Sequence, residues 1–341
     1  MSLIEYKKHW LSFDEQLEQL TQRGLSVTDP NKALEGLKRI GYYRLSGYFY
    51  SLKQRCEPCC FIDDPNNIKV CKGLKQSEKV VKNEVVDFFK PGASFQDAVH
   101  LYVFDKKLRL LALDGLERIE VGLRVDIAYT LGEHGAFSYL NPDCLARHFT
   151  QELDPKSNTT GFVDWMNHQA RQVARSKEEF IVAYNKKYYQ PVPIWMACEL
   201  WDFGTLSKLY AGMLPDDQRK IASRYGISDP KVMVSWIRSL NYLRNVCAHH
   251  SRLWNRNMTE QPKKPKPSEA PLFEQAWNDA HSLARPFLGL CLIQFYLCTI
   301  NPTSSWWRRL TELLNTFPEL EHLGIDLKAM GVIEGWKDWR W

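Results

Sequence analysis

The sequence predicts an all-α fold, and three observations carry that reading. From Phe95 to Leu131 apolar residues recur at helical spacing through Leu101, Phe104, Leu108, Leu111, Leu116, Ile119, Leu123 and Ile127. Between Pro230 and Arg256 no further Pro or Gly interrupts the chain, which reads as one long helix. Strand-like alternation nowhere extends far enough to build a large sheet.

Each element rests on local signals. Phe13 to Gly24 reads as a helix stopped by Gly24. Asp29 is a plausible cap for a second helix, Asn31 to Ile40, which Gly41 ends. Tyr42 to Leu52 is aromatic-rich and could be helix or strand. Its Tyr42, Tyr43, Tyr48 and Tyr50 could stack on bases with Arg44 on a phosphate, the alternative being that the rings pack in a core. Gln54 to Gln76 carries the least structural signal. Its Cys56, Cys59, Cys60 and Cys71 have a spacing that could hold zinc, although adjacent ligands are geometrically awkward and a second C-x-x-C is missing; a surface loop is the alternative. Gly132 to Gly161 is loop-rich. Phe162 to Tyr188 reads as a helix with a basic surface, Ile194 to Ala211 as another, and Asp216 to Tyr225 as a shorter one. Pro262 to Pro271 is a linker or extended connection. Phe273 to Ile300 reads as a helix broken or kinked at Pro286, and Ser304 to Thr316 as the last long helix. The segment with Trp336, Trp339 and Trp341 is expected to pack back on the bundle. The organisation is then an N-terminal helical and aromatic region over 1–94, with its Cys-containing loop at 54–76, a helical core over 95–260, and a linker with C-terminal helices over 261–341.

A chain of 341 residues with 12 Trp can bury a sizeable core. Nine Cys, an odd number, with no evident secretory leader, argue for a reducing cytoplasm. Phe287 to Ile300 is too short to span a bilayer, so a buried helix is expected and no membrane partner. The net charge of +5 is compatible with a local nucleic-acid patch and too small to argue for one alone. There is no P-loop, no G-x-G-x-x-G and no H-E-x-x-H, and neither a cofactor nor a metal is expected.

The chemistry-bearing stretch is Leu243-Arg244-Asn245-Val246-Cys247-Ala248-His249-His250, an R-N-x-x-x-H unit followed by Arg252 and Arg256. Arg is a permanent cation with a fork of donors suited to phosphate, and His exchanges protons near neutral pH. On a continuous helix, Trp236, Leu240, Leu243, Cys247, His250 and Trp254 form an apolar stripe, which makes His250 a core histidine. Arg238, Asn241, Asn245, His249, Arg252 and Arg256 form the opposite stripe, within roughly 40° of its centre. Arg244 lies roughly 140° from His249 on such a helix. Either its long stem bends round, or a second copy of the helix completes the site; the second predicts a homodimer with a composite site at its two-fold axis. Glu117, Glu120 and Arg124 share one face of the 95–131 helix, and their spacing alone predicts an ordinary Glu120–Arg124 ion pair.

The stretch LRNVCAHHSRLWNR resembles the signature of abortive-infection (Abi) proteins of the AbiD/AbiF type, members of the HEPN superfamily of helical RNases. Ile40 to Tyr48 resembles that family's IGYYRLSGY motif, Tyr102 to Arg109 its YxFDxxLR motif, and Glu117 to Arg124 its ERIEVxLR motif. Pro193-Ile194-Trp195 with Glu199, Phe203 and Gly204 is similar to PxWxxxExxxFG, and Met330-Gly331 with Trp336 to Trp341 to the family's C-terminal portion. The Cys-rich patch is a departure from the pattern. The resemblance implies a HEPN-like helical bundle with an N-terminal helical extension and additional C-terminal helices, acting on RNA in bacterial defence against phage. It implies Arg244, Asn245 and His249 as catalytic residues, with Glu120 holding Arg244 and Arg118 or Arg124 meeting RNA. Metal-free cleavage would use the ribose 2′-OH as nucleophile, His249 as base or acid and Arg244 to stabilise the phosphorane, with Arg252 and Arg256 on flanking phosphates. The products would be a 2′,3′-cyclic phosphate and a 5′-OH. The alternative from another class is a non-catalytic RNA-binding or regulatory module, controlled by a bound structured RNA.

Overall fold

The structure, a computed structural model, describes residue 5, residues 9–55, the backbone of 60–62 and 70–72, and residues 85–341. The zinc expectation for Cys56, Cys59, Cys60 and Cys71 falls on side chains outside the described residues. The fold is an all-α bundle with two short antiparallel ribbons, β1 (Lys53–Arg55) with β4 (Val85–Phe89) and β2 (Cys60–Ile62) with β3 (Val70–Lys72). The chain divides into two compact units. One comprises Met1–Lys106 with Thr316–Asp326, the other Lys107–Asn315 with Leu327–Trp341.

In the first unit, Ser12 and Glu15 form a reciprocal capping box that starts α1 (Phe13–Gln22). Asp29 accepts from the Lys32 amide at 3.1 Å and starts α2 (Pro30–Ile40), as its sequence predicts. Gly41, at φ +92°, separates α2 from α3 (Tyr42–Leu52), which resolves the helix-or-strand ambiguity as helix. Tyr48 is buried and donates its hydroxyl to Asp105, itself buried, at 2.7 Å; Phe49 packs on Phe89 and Phe95. Core packing therefore accounts for Tyr48 but not for Tyr43, which is 82% exposed beside an exposed Arg44.

The 38-residue helix α4 (Phe95–Gly132) is about 57 Å long at 1.5 Å per residue. In the second unit its Leu116, Ile119, Leu123 and Ile127 face the interior, and Gly115 lets Ile293 and the Trp306 ring approach its backbone. Trp306 donates its indole N–H to the Leu111 carbonyl at 2.7 Å. The short α5 (Arg147–Thr150) is followed by α6 (Gly161–Arg175) and α7 (Glu179–Lys187). The sequence suggests one helix over the last two; extended backbone at Ser176 separates them. Likewise the expected 194–211 helix is two, α8 (Ile194–Ala197) and α9 (Phe203–Gly212), because Asp202 caps α9 through the Thr205 amide at 2.8 Å. Next come α10 (Pro215–Arg224) and α11 (Pro230–Ala248), the latter packed on α9 and α13 (Pro286–Ile300). Pro286 opens α13 and separates it from α12 (Ala280–Leu283); it breaks the predicted helix. The α13 helix is buried along most of its length, and α14 (Trp306–Leu314) closes the series of α-helices. Among the described residues no helix is long and apolar enough to cross a membrane.

Candidate functional site

Helix α11 begins at a cap from Asp229, with Pro230 in its first turn. It does not run on to Arg256. It ends at Ala248, and His249 is its C-terminal cap. The His250 amide donates to the Cys247 carbonyl and the Ser251 amide to Val246, each at 3.0 Å, while His250 takes φ +56°. This pattern is a Schellman stop with a histidine where glycine is usual. No Gly or Pro marks it, so a periodicity reading misses it. The turn redirects the chain beyond Ala248. Leu253 and Trp254 are buried, whereas both His249 and His250 are exposed. The expectation of a core His250 is therefore overturned: a left-handed residue just past the helix lies off the apolar stripe. The His249–Arg252–Arg256 stripe dissolves for the same reason. Arg256 instead folds back, its Nε donating to the Tyr242 hydroxyl at 2.9 Å and its Nη1 to the Arg252 carbonyl at 3.4 Å.

Arg244, on the last turns of α11, places Nε 3.9 Å from Glu120 Oε2. Glu120 also accepts from Arg124 Nη2 at 2.7 Å, and Arg124 donates onward to the Trp201 carbonyl at 2.9 Å. The ordinary i,i+4 pair and the longer approach to Arg244 thus coexist on one carboxylate. Burial pushes the Glu120 carboxyl above its usual range, against the pull of Arg124 and Arg244. Asp202 adds a second carboxylate to the field around Arg244. Burial opposes its ionisation, but the amide and hydroxyl of Thr205, with His168 and Arg244, together hold it below the usual range.

Arg244, Glu120 and Arg124 line a cleft of about 530 Å³ with Asp114 and Glu117. Three carboxylates against two guanidiniums mean that net charge does not draw a phosphate into it. Asp114 is engaged by Arg309 and, at 3.7 Å, by Arg118. Arg118 is thus paired with a carboxylate and is not among the cleft's lining residues. Arg244 is one-third exposed, so its guanidinium can meet solvent at the cleft's edge. Asn245 is half-buried, and its carbonyl accepts the His249 amide at 3.0 Å. Tyr43 and Arg44 belong to the other unit.

Sequence reasoning missed His168 and Asp202. His168 Nε2, on α6, lies 3.8 Å from Asp202 Oδ2, while Asp202 Oδ1 accepts from the Thr205 amide and hydroxyl, each at 2.8 Å. An Asp three residues before Thr205 is a helix-start signal and could have located Asp202. Nothing local distinguishes His168. Among the described residues no group of three or more His, Cys, Asp or Glu is arranged to hold a metal ion.

A family profile described as Abi-like protein matches residues 35–255, more than half of the chain. No curated protein and no solved structure matches it. The matched span contains Glu120, Asp202, Arg244 and His249, and the family description associates the chain with abortive infection. The chain belongs to the Abi-like protein family.

Proposed function

We propose that this protein is a HEPN-type, metal-independent endoribonuclease of an abortive-infection system. The observation that carries the reading is the pairing of functions at the end of α11. A guanidinium 3.9 Å from a partly buried carboxylate and an exposed imidazole at the cap sit five residues apart on one helix terminus. Arg244 would stabilise charge on the phosphorane; the Glu120 carboxylate, 3.9 Å from its Nε, would favour the orientation such electrostatic help requires. His249, in open solvent, can reach a ribose 2′-OH or a leaving 5′-oxygen without displacing core residues. Asn245 would orient the imidazole or the phosphate. Arg256 is engaged with Tyr242, and its part is to brace the turn.

The second proton carrier is a second copy's His249. Leu110, Val121, Val125 and Tyr129 leave an exposed apolar line along α4 beside Arg244, the kind of surface that a second copy would cover. A homodimer would also bring further cations to a cleft that lacks an excess of them.

The test is RNA cleavage by wild type and His249→Ala in EDTA, with end mapping. Cleavage that survives EDTA and disappears in the variant supports the reading. RNA binding without any cut in the wild type would instead favour a regulatory module, and cleavage abolished by EDTA would refute the metal-free mechanism.

A further inference from the structure

In the second unit, a pocket of about 560 Å³ that no α11 residue lines opens between α14 and the segment 337–341. We infer that this pocket is a second RNA-binding site, holding an unpaired nucleotide of a single strand by stacking its base on Trp307, Trp339 and Trp341 and its phosphates on Arg308, Lys337 and Arg340. The volume falls within the roughly 300–1,000 Å³ usual for small-ligand sites. Trp306 and Trp336 are buried and serve the core, whereas the three lining indoles are only half-buried. Partly exposed indoles lining a cavity offer ring faces to a flat ligand.

The rings already form a scaffold. Trp307 stacks on Trp339 with centroids 5.9 Å apart and planes 16° from parallel, and Trp341 meets Trp307 at 5.1 Å. Phe287 supports Trp307 and Trp339 from below, at 6.4 and 6.0 Å. A base added to this stack would extend an existing array. The charge of the lining is complementary to phosphate: among the side chains that line the pocket, three are exposed cations and one is a carboxylate, Glu312, which accepts from Arg308 at 3.3 Å. The wall also holds an unused polar group. Gln294 is 5% exposed, gives its amide N–H to Cys298 Sγ at 3.4 Å, and leaves its Oε1 without a partner among the described residues. An enclosed acceptor of this kind is costly unless something donates to it. A base carries such a donor and would meet the Oε1, which is sealed from solvent, once the Gln294 side chain turns toward the cavity; a lipid tail or an aliphatic peptide side chain carries none. Flat ring, anionic link and polar edge together specify a nucleotide.

This inference rests on the reading that the protein handles RNA, but not on its cutting RNA, and is tested on the non-cutting His249→Ala protein. A short single-stranded RNA bearing 4-thiouridine is cross-linked to the full chain and the modified peptides are mapped. Its affinity is then measured with Trp339→Ala and, separately, with Arg340→Gln added. Cross-links should fall on Trp307, Trp339 or Trp341. Trp339→Ala should weaken binding by on the order of ten-fold, as expected for loss of one stacking partner. An abasic strand of the same length should bind weakly and ignore Trp339→Ala. Arg340→Gln, at an exposed position, should flatten the salt dependence even if Trp339→Ala disturbs folding. Cross-links confined to α11 or α4, or equal affinity in all variants, would overturn the site. Binding here, together with a wild type that never cuts RNA, would refute the cleavage reading and leave this site standing.

Discussion

The turn at His249–His250 makes a prediction whose sign depends on whether the helix stops. His250→Gly and His250→Ala both remove the imidazole and differ only by a Cβ. At φ +56° that Cβ clashes with the neighbouring carbonyl, at a cost of roughly 1–2 kcal/mol for an L-residue. The greater freedom of Gly in the unfolded chain takes back roughly 0.5–1 kcal/mol. The Gly variant should therefore be more stable than the Ala variant by about 0.5–1 kcal/mol. A helix continuing to Arg256 would reverse the order, because Ala is favoured over Gly inside a helix by about 1 kcal/mol. Urea denaturation of the two variants, with equal m-values, reads the difference directly. An Ala variant as stable as the Gly variant, or more so, would refute the Schellman stop and with it the exposure of His249.

Three further outcomes are expected. Burial raises the Glu120 carboxyl above its usual value of 4.5, so the folded state holds that proton more tightly than the unfolded chain; the contribution is complete below 4.5 and is lost as pH rises through the folded value. Glu120→Gln removes this titration, and the stability of the parent relative to the variant should fall as pH rises above 4.5 in denaturation series; a rise would contradict the assignment. Gly115→Ala should destabilise by about 1–2 kcal/mol despite its better helix propensity, because the new Cβ falls against Ile293 and within 2.9 Å of Trp306 Nε1; a higher melting temperature would show that the packing is looser than described. Arg244→Ala should slow single-turnover RNA cleavage by about 10²–10³-fold with little change in melting temperature; unaltered cleavage would remove Arg244 from the mechanism.

Much of the scaffold is legible from local signals. Asp29 caps α2, and the periodicity of 95–131 locates the buried face of α4 because a long amphipathic repeat has few alternative packings. Breaks are harder. Ser176, Asp202 and His250 interrupt helices through backbone conformations that no Gly or Pro announces. At His250 the burial of Leu253 and Trp254 accompanies a left-handed residue, a tertiary effect invisible to propensity. Spacing also yields the Glu120–Arg124 pair, which is local to one helix. The approach of Arg244 to Glu120 and the His168–Asp202 contact join residues far apart in the chain, and only the fold supplies them.

The central claim, that the ribose hydroxyl itself is the nucleophile, is tested most directly by replacing the nucleotide 5′ of a mapped cut with its 2′-deoxy analogue. The account predicts that cutting stops at that bond alone, and that the unmodified strand yields a 2′,3′-cyclic phosphate and a 5′-hydroxyl. Continued cutting at the deoxy position, or a 5′-phosphate end, would contradict it.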